Sequence, residues 1–505
     1  VRVPARSFVE QARREKLKLL KELGIEPFAY GFDRTHTAAG ALAAYRPEEE
    51  SRVRVAGRIV ALRRHGKTTF AHLADASGKI QLYFRQDTLG ERGYRLVELL
   101  DLGDHVGAAG GLFKTKTGET TVRVEELFLL AKALRPLPLG KEDDSGERHS
   151  TLTDPGTRYR QRYADLAVHP EVRSVFRLRA RIVAYIRSFL DSRGYIEVET
   201  PVLQPLYGGA LARPFVTHHH ALDSRLYLRI ATELYLKRCI VGGLEKVYEL
   251  GKDFRNEGLD RLHNPEFTML EFYEAYADYL GILELVESMV HGAAVEVCGS
   301  AVLERFGKRF DFSPPWPRVG YVELMRQHAG IEVLEADDDL LRERVRSGLK
   351  ERHGGESELV AQVEGMGRAK LIDEAFKLWV EPHLVQPTFV LDYPVELSPL
   401  AKRKRGEPRL AERFELYVNG WEIANAFSEL NDPDEQRERF EAQRVLRAAG
   451  DEEAHQLDED YLRALEYGMP PTGGAGVGID RLVMLLAGQS SIRDVILFPL
   501  LRPEE

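Results

Sequence analysis

Cysteine is nearly absent: Cys239 and Cys298 are the only two in 505 residues, and no CxxC pair occurs. A disulfide scaffold and a cysteine-rich zinc site are thereby excluded, and the usage suits a reducing compartment. No uninterrupted apolar run approaches the ~18 residues that a spanning helix needs. The basic residues near the start are not followed by an apolar core, so the expectation is a cytoplasmic protein, neither exported nor membrane-bound. Its first residue is Val1 rather than Met, which leaves room for a few trimmed residues. Net positive charge is also missing. The balance is -9, at first sight wrong for a nucleic-acid binder. Yet between residues 51 and 85 stand Arg52, Arg54, Arg58, Arg63, Arg64, Lys67, Lys79 and Arg85 against Asp75 alone. A local positive field of that kind can hold phosphates while the remainder stays acidic.

A 43% hydrophobic, 30% charged composition is that of a soluble globular chain, and its length calls for two or three domains. Residues 7–24 have helical apolar spacing and are rich in Lys and Arg, with Gly24 as the stop and Pro27 beyond. From 51 to about 133 short alternating strands are broken by turns such as Ser77-Gly78; some five strands in this span predict a small closed barrel of the oligonucleotide-binding type. Phe70 and Gln81 fall on neighbouring strands amid the basic residues, as a base-stacking ring and an amide reader would; a core Phe and a surface Gln would explain them equally well. A polar stretch, 140–159, reads as a linker. Residues 172–194 form an amphipathic helix running into a strand, YIEVETP, that stops at Pro201. The run His218-His219-His220 invites a metal, but successive strand side chains point to opposite faces and no Cys or carboxylate stands at ligand spacing, so zinc is not expected. From 280 to about 386 the chain reads as a helical insertion in which no chemistry is legible.

Three stretches carry more. In residues 247–279 a strand, a polar loop and a second strand place Phe267, Met269, Glu271 and Tyr273 on one face, with Arg255 able to reach the same place. An ordinary hairpin with a salt-bridged pair is the alternative. In residues 413–432 Asn419-Gly420 signals a type I′ turn. That turn would pair Tyr417 with Glu422 and Glu415 with Ala424, making Glu415 and Glu422 diagonal neighbours that repel unless a cation lies between them. A hard divalent ion taken with substrate phosphates fits such a pair; two solvated acids fit it too. Asn425, Phe427 and Glu429 form a row of opposite parity to Glu422, so a bulge is required if all serve one site. Finally, Gly473, Gly474, Gly476 and Gly478 precede Arg481 at the mouth of a helix, where glycines let backbone approach a ligand closely. No P-loop is present.

YIEVETP, FRNEG with HNPEFTMLEFY, and GVGIDR with LVMLL resemble motifs one, two and three of the class II aminoacyl-tRNA synthetases. With LYGGALARPFVTHHHALD, ELYLKR and EIANAFSELND the chain closely resembles the bacterial lysyl-tRNA synthetases, in the subclass that also holds the aspartate and asparagine enzymes. The resemblance covers nearly the whole chain. It implies an α+β fold, with an antiparallel catalytic sheet flanked by helices and preceded by an N-terminal OB-fold barrel. The implied domains are 1–139 with the anticodon-binding barrel, the linker 140–159, and the catalytic domain 160–505 carrying the insertion at about 280–386. Magnesium, ATP, L-lysine, tRNA(Lys) and a homodimer built partly by motif one follow in the same way.

Carried over position by position, Arg255 matches the grip on the amino-acid carboxylate and α-phosphate. Glu257, His263, Asn264 and Phe267 match ATP contacts, Phe267 as the adenine-stacking ring, and Arg481 the γ-phosphate arginine. Glu415 and Glu422 match the magnesium carboxylates. Gly209, Glu233 and Glu271 match the α-amino side of a lysine pocket and Asn425 its carboxylate side. Tyr273 and Glu429 match the partners of the ε-ammonium, and Phe427 the wall along the aliphatic stem. Phe70, Gln81 and Glu119 match anticodon contacts. Thr232 replaces a usual Pro and His220 a usual Asn. An aspartate or asparagine enzyme is the nearest rival, and Glu429 with Glu271 would repel an anionic side chain. A lysine ligase acting on a protein would usually lack the barrel. A catalytically dead nucleic-acid-binding relative would have no need of Arg255, Glu422 and Arg481.

Overall fold

The structure, a computed structural model, describes residues 7–49, 51–142, 148–353, 358–448 and 456–503. Val1 and the middle of the expected linker, 143–147, lie outside them. The chain divides into two compact units, Val1–His169 and Pro170–Glu505. The stretch read as a linker contains a short hairpin, Leu139–Glu142 with Arg148–Thr151. Two short helices, Pro155–Arg160 and Arg162–Val168, belong with the first unit.

In the first unit helix α1 (Phe8–Glu22) starts where Ser7 and Glu10 form a capping box, and the chain leaves it through Gly24 at φ +66°. Five strands follow: β1 (Arg52–His65), β2 (Thr68–Ala74), β3 (Lys79–Arg85), β4 (His105–Lys114) and β5 (Thr120–Ala131). They close into a barrel in the order β1-β2-β3-β5-β4, with helix α2 (Gln86–Leu99) between β3 and β4. Alternation fills the interior: Val53, Val55, Ile59, Leu73, Leu82, Val106 and Val124 are fully buried while their neighbours face outward.

The second unit is built on a nine-stranded sheet. After helix α3 (Pro170–Asp191) come β6 (Ile196–Glu197), helix α4 (Glu233–Val241), β7 (Lys246–Phe254), β8 (Glu266–Ala275) and helix α5 (Tyr279–Gly292). Then follow β9 (Arg318–Gly320), helix α6 (Arg368–Trp379), β10 (Thr388–Pro394), β11 (Glu407–Val418) and β12 (Trp421–Ser428). Last are helix α7 (Glu459–Glu466), β13 (Thr472–Gly478) and helix α8 (Ile479–Ala487). The order is β9-β10-β11-β12-β13-β8-β7-β6, with the short strand Arg403–Lys404 beside β11. The pairs β6–β7 and β9–β10 are parallel and the pairs between them antiparallel. One face of this sheet is apolar: Leu270, Phe272, Ala426, Ala475, Val477, Phe414 and Leu416 pack with residues of α3, α5 and α8.

The main sheet differs from the sequence expectations in several places. The strand expected from YIEVETP shrinks to Ile196–Glu197. Past Val198 the Thr200 N–H turns to the Glu249 carboxylate, and Pro201 has no N–H to donate. The glycine run is itself a central strand, β13, paired with β8 and β12. The region 280–386 is helical in most of its length but also supplies β9, an edge of the main sheet.

The β11–β12 register decides the geometry of the second unit. Asn419 and Gly420 take φ +58° and +73°, the type I′ turn, and Tyr417 pairs with Glu422 as expected. Beyond that pair the register shifts: Leu416 faces Ala424 and Glu415 faces Asn425, so the expected Glu415–Ala424 pair does not form. Ile423 is the extra residue, a β-bulge that corrects the parity. Glu415, Glu422, Asn425 and Phe427 therefore share a face with Gly476, Gly474, Glu271 and Tyr273 on the adjoining strands.

The glycines of β13 are needed on both sides of the sheet. A Cβ on Gly473 would lie 2.6 Å from Ile282 Cγ1 in α5, and one on Gly474 would overlap the Tyr273 ring and the Glu429 carboxylate. At Gly476 the nearest atom would be 3.7 Å away. Gly474→Ala is therefore expected to cost about 1–3 kcal/mol through overpacking and Gly476→Ala under about 1 kcal/mol. Equal thermal shifts for the two variants would contradict this packing.

Candidate active site

The polar face of the sheet opens into a cleft of about 670 Å³. Every second-unit residue named from the motifs lines it: Gly209, Glu233, Arg255, Glu257, His263, Asn264, Phe267, Glu271, Tyr273, Glu415, Glu422, Asn425, Phe427, Glu429 and Arg481. Strand alternation on β8 and β12 supplies most of them, and loops and the starts of α4 and α8 supply the rest.

One end of the cleft is rich in arginine. Arg255 follows β7; its guanidinium stands 5.0 Å over the Phe267 ring and its backbone N–H donates to Pro265 O at 2.8 Å. Arg481, in the first turn of α8, donates to Glu422 O at 3.0 Å and to His263 Nε2 at 2.9 Å. Because a guanidinium only donates, His263 Nε2 accepts, and Nδ1 carries the proton given to Asp260 Oδ2 at 2.7 Å. Asp480, beside Arg481, is locked by Arg179 at 2.5 Å and the Thr268 N–H at 2.6 Å, which fixes the start of α8.

On the β11–β12 wall Glu415 is buried. Arg413 donates to its Oε1, and Tyr393 and Tyr417 donate to Oε2 at 2.9 and 2.6 Å. Burial pushes its carboxyl up, Arg413 opposes this, and nearby Glu422 adds to it. The Glu422 side chain is 40% exposed to the cleft. Two hard oxygen donors, one of them accessible and the other retaining a lone-pair site, suit magnesium held jointly with phosphates. Among the described residues no group of three or more His, Cys, Asp or Glu is arranged to hold a metal alone.

The most buried part of the cleft is acidic. Glu233, Glu271 and Glu429 are 6%, 7% and 1% exposed. Tyr273 OH donates to Glu271 Oε2 at 3.1 Å and the Thr232 N–H to Oε1 at 3.3 Å. Burial, with Asp253 and Glu233 nearby, still pushes Glu271 up to about 8. Burial likewise pushes Glu429 up to about 8, against the pull of Lys237. Glu429 Oε1 and Asn425 Oδ1 are buried without hydrogen-bond partners in the protein, so each can accept from a bound group. Gly209, at φ +89°, lets the backbone pass where a Cβ would stand 3.1 Å from Glu233 Cβ.

Several cleft residues had no signal in the sequence. Asp373, Lys377 and Glu381 come from the insertion read as chemically silent. Burial, then Asp373, Glu422 and Glu415, push Glu381 up to about 7 against Lys377. Nothing in a charged helical pattern separates these residues from solvated ones. Arg413 and Lys237 did carry a signal, each lying two or four residues from an acid already singled out.

In the first unit β2 pairs with β3 so that Phe70 faces Tyr83 and His72 faces Gln81. The Phe70 and Tyr83 rings stack at 4.7 Å. Gln81 Nε2 donates to Glu119 Oε2 at 2.6 Å, Thr121 Oγ1 to Gln81 Oε1 at 2.8 Å, and His72 Nε2 lies 2.9 Å from Glu119 Oε1. Phe70, Gln81 and Glu119 thus come together on one outer face of the barrel.

The family profile described as tRNA synthetases class II (D, K and N) matches residues 154–502, and the OB-fold nucleic acid binding domain matches residues 53–130. The chain belongs to the class II tRNA synthetases. It is 53% identical to the lysine-tRNA ligase of Moorella thermoacetica, over 100% of both chains. Against the lysine-tRNA ligase of Carboxydothermus hydrogenoformans the identity is 52%, over 98% of both chains. The lysine-tRNA ligase of Syntrophomonas wolfei is also 52% identical, over 98% of this chain and 97% of that one. This synthetase is therefore an enzyme of α+β architecture whose OB-fold barrel and catalytic sheet are the two parts its family implies.

The acids of the deep cleft make stability pH-dependent in the ligand-free enzyme. With Glu271 raised to about 8 from 4.5, the native state keeps a proton that the unfolded chain loses. The stability this brings at low pH is therefore lost as pH rises toward 8. Glu271→Gln removes the penalty, so relative to the parent it should gain about 2–3 kcal/mol between pH 6 and pH 8.5. A difference in melting behaviour that stays constant over that range would contradict the assignment.

Proposed function

We propose that the enzyme is a lysine-tRNA ligase, which joins L-lysine to ATP as lysyl-adenylate with release of pyrophosphate and then transfers lysine to the 3′ end of tRNA(Lys). One observation carries the choice of amino acid: three buried acids, Glu233, Glu271 and Glu429, lie in the deepest part of the cleft. Lys237 is shared between two of them, and since an uncompensated buried carboxylate costs several kcal/mol, such a pocket is built for a substrate with ammonium groups and rejects neutral or anionic side chains. The relatives' name agrees with it.

In this reading Glu233 and Glu271, beside Gly209, hold the α-amino group. Tyr273 and Glu429 hold the ε-ammonium, Phe427 walls the stem, and Asn425 stands near the carboxylate. Arg255 neutralises both the lysine carboxylate and the α-phosphate, two anions that must meet in line. Phe267 stacks the adenine, Glu257, His263 and Asn264 contact ATP, and Arg481 takes the γ-phosphate. The carboxylate oxygen attacks the α-phosphorus, the bond to the β-phosphate breaks, and pyrophosphate leaves. The ribose hydroxyl of the tRNA end then attacks the adenylate and AMP leaves. Positioning and charge neutralisation suffice, and no protein nucleophile is needed. Glu415 and Glu422 would hold magnesium, which when bound neutralises charge on the ATP phosphates.

The barrel serves the tRNA, with Phe70 stacking an anticodon base and Gln81 and Glu119 contacting base edges. Ile196, Val202, Leu203 and Leu206 are exposed apolar residues in and beside motif one, a surface that the second copy of a homodimer would cover. Among the described residues no helix is long and apolar enough to cross a membrane, in keeping with work in the cytoplasm.

Pyrophosphate exchange into ATP should depend on lysine; exchange with aspartate, or without amino acid, would overturn the reading. Glu429→Gln should raise the lysine KM by more than about a hundredfold, from the ~3–5 kcal/mol of breaking a buried pair, with little change in the KM for ATP. Phe70→Ala should raise the tRNA KM about tenfold or more, given ~1–3 kcal/mol per stacked base. A loss of equal size in tRNA-independent exchange would argue against the barrel's role.

A further inference from the structure

Lys237 is the one member of the deep acidic cluster to which no role has been given. It lies on α4 with its side chain fully buried, and its Nζ is 2.5 Å from Glu233 Oε1 and 2.5 Å from Glu429 Oε2. It therefore ties together the two acids assigned to opposite ends of the bound amino acid. The same ammonium stands 6.0 Å over the Tyr273 ring. Burial alone would push it down, but Glu233 and Glu429, with Tyr461 behind them, hold it well above the usual lysine range, so it stays charged.

The groups facing Lys237 are Glu233 from α4, Glu429 from the end of β12, Tyr273 from β8 and Tyr461 from α7; Glu271, also on β8, has Asp253 and Glu233 for charged neighbours. The other cations nearby are engaged elsewhere: Arg229 with Glu249 and Asp253, and Arg238 with Asp458. Arg255 faces the place of the substrate carboxylate. Lys237 is thus shared between Glu233 and Glu429, while Asp253 and Glu233 stand near Glu271. Lys237 also occupies one oxygen of Glu429, while the other, Oε1, lies beside Gly474 with no hydrogen-bond partner.

We propose that Lys237 is a specificity-determining positioning residue: a resident counter-ion that holds Glu233 and Glu429 in place, so that both can face a substrate with two ammonium groups. The inference rests on the lysine reading above. Without the resident cation the pull that opposes the burial of Glu429 is lost, and the proton its carboxyl must give up before lysine binds is held more tightly. Lysine then competes with protons, and its use shifts to higher pH.

Pyrophosphate exchange by the full-length enzyme, measured from pH 6.5 to 9.5, tests this with Lys237→Met and Lys237→Arg. Lys237→Met should raise the lysine KM at pH 7.5 at least about thirtyfold and leave the ATP KM within about twofold. The pH at which kcat/KM for lysine levels off should move up by about one unit. Lys237→Arg keeps the charge and should keep the parent's pH profile. A Met variant with the parent's lysine KM and profile, or with equal losses for lysine and ATP, overturns the proposal. Should Lys237→Met fail to bind ATP, Lys237→Arg decides: an unmoved profile supports the counter-ion and a shifted one refutes it. Absence of lysine-dependent exchange in the parent would instead refute the lysine reading itself.

Discussion

A single extra residue, Ile423, holds the catalytic face together. In a regular antiparallel pair each side chain alternates, and a one-residue slip sends the rest of a strand to the other side. The bulge makes use of that slip. It puts Glu422, near the turn, on the same side as Asn425 and Phe427 farther down the strand, with Glu429 continuing the row. The phosphate end and the amino-acid end can then share one wall. Glycines of β13 form the floor between that wall and Glu271 with Tyr273 on β8, because only a strand without side chains leaves room for a substrate between two occupied strands.

On that frame the enzyme carries an electrostatic load that folding alone does not reward. Acids driven up toward 8 by burial, and polar oxygens left without partners, destabilise the empty protein. In the lysine reading proposed above, a substrate bearing two ammonium groups removes the load, and specificity and instability share one origin: desolvated carboxylates that a cation of the right length satisfies. The opposite end of the cleft shows the complementary arrangement, with Arg255 and Arg481 held by aromatic, backbone and histidine contacts and Arg481 also 3.4 Å from the Glu422 carboxylate.

Local signals were legible wherever local chemistry decided the outcome. Apolar spacing over 7–24 with Gly24 as the stop gave a helix, Asn419-Gly420 turned a hairpin, and alternation over 51–133 built a barrel. Phe267, Met269, Glu271 and Tyr273 could be put on one face from spacing alone. The Glu415 partner could not be read correctly, because a bulge depends on how two strands settle against their neighbours. Asp373, Lys377 and Glu381 gave no sign of lining the cleft, since their position comes from the packing of an insertion onto a sheet far away in sequence. Lys237 was visible within ELYLKR, but nothing in that string says that its ammonium is buried between two acids.

The sequence by itself determined the family, the order of the motifs and the residue types the chemistry requires, because these are properties of short strings. It also showed that the row of Asn425, Phe427 and Glu429 had the wrong parity for one site. Tertiary structure alone decided how that conflict resolves, which carboxylates are desolvated, and that Lys237 is buried between two of them. Burial and charge balance are sums over neighbours brought from distant parts of the chain, and no short string contains them.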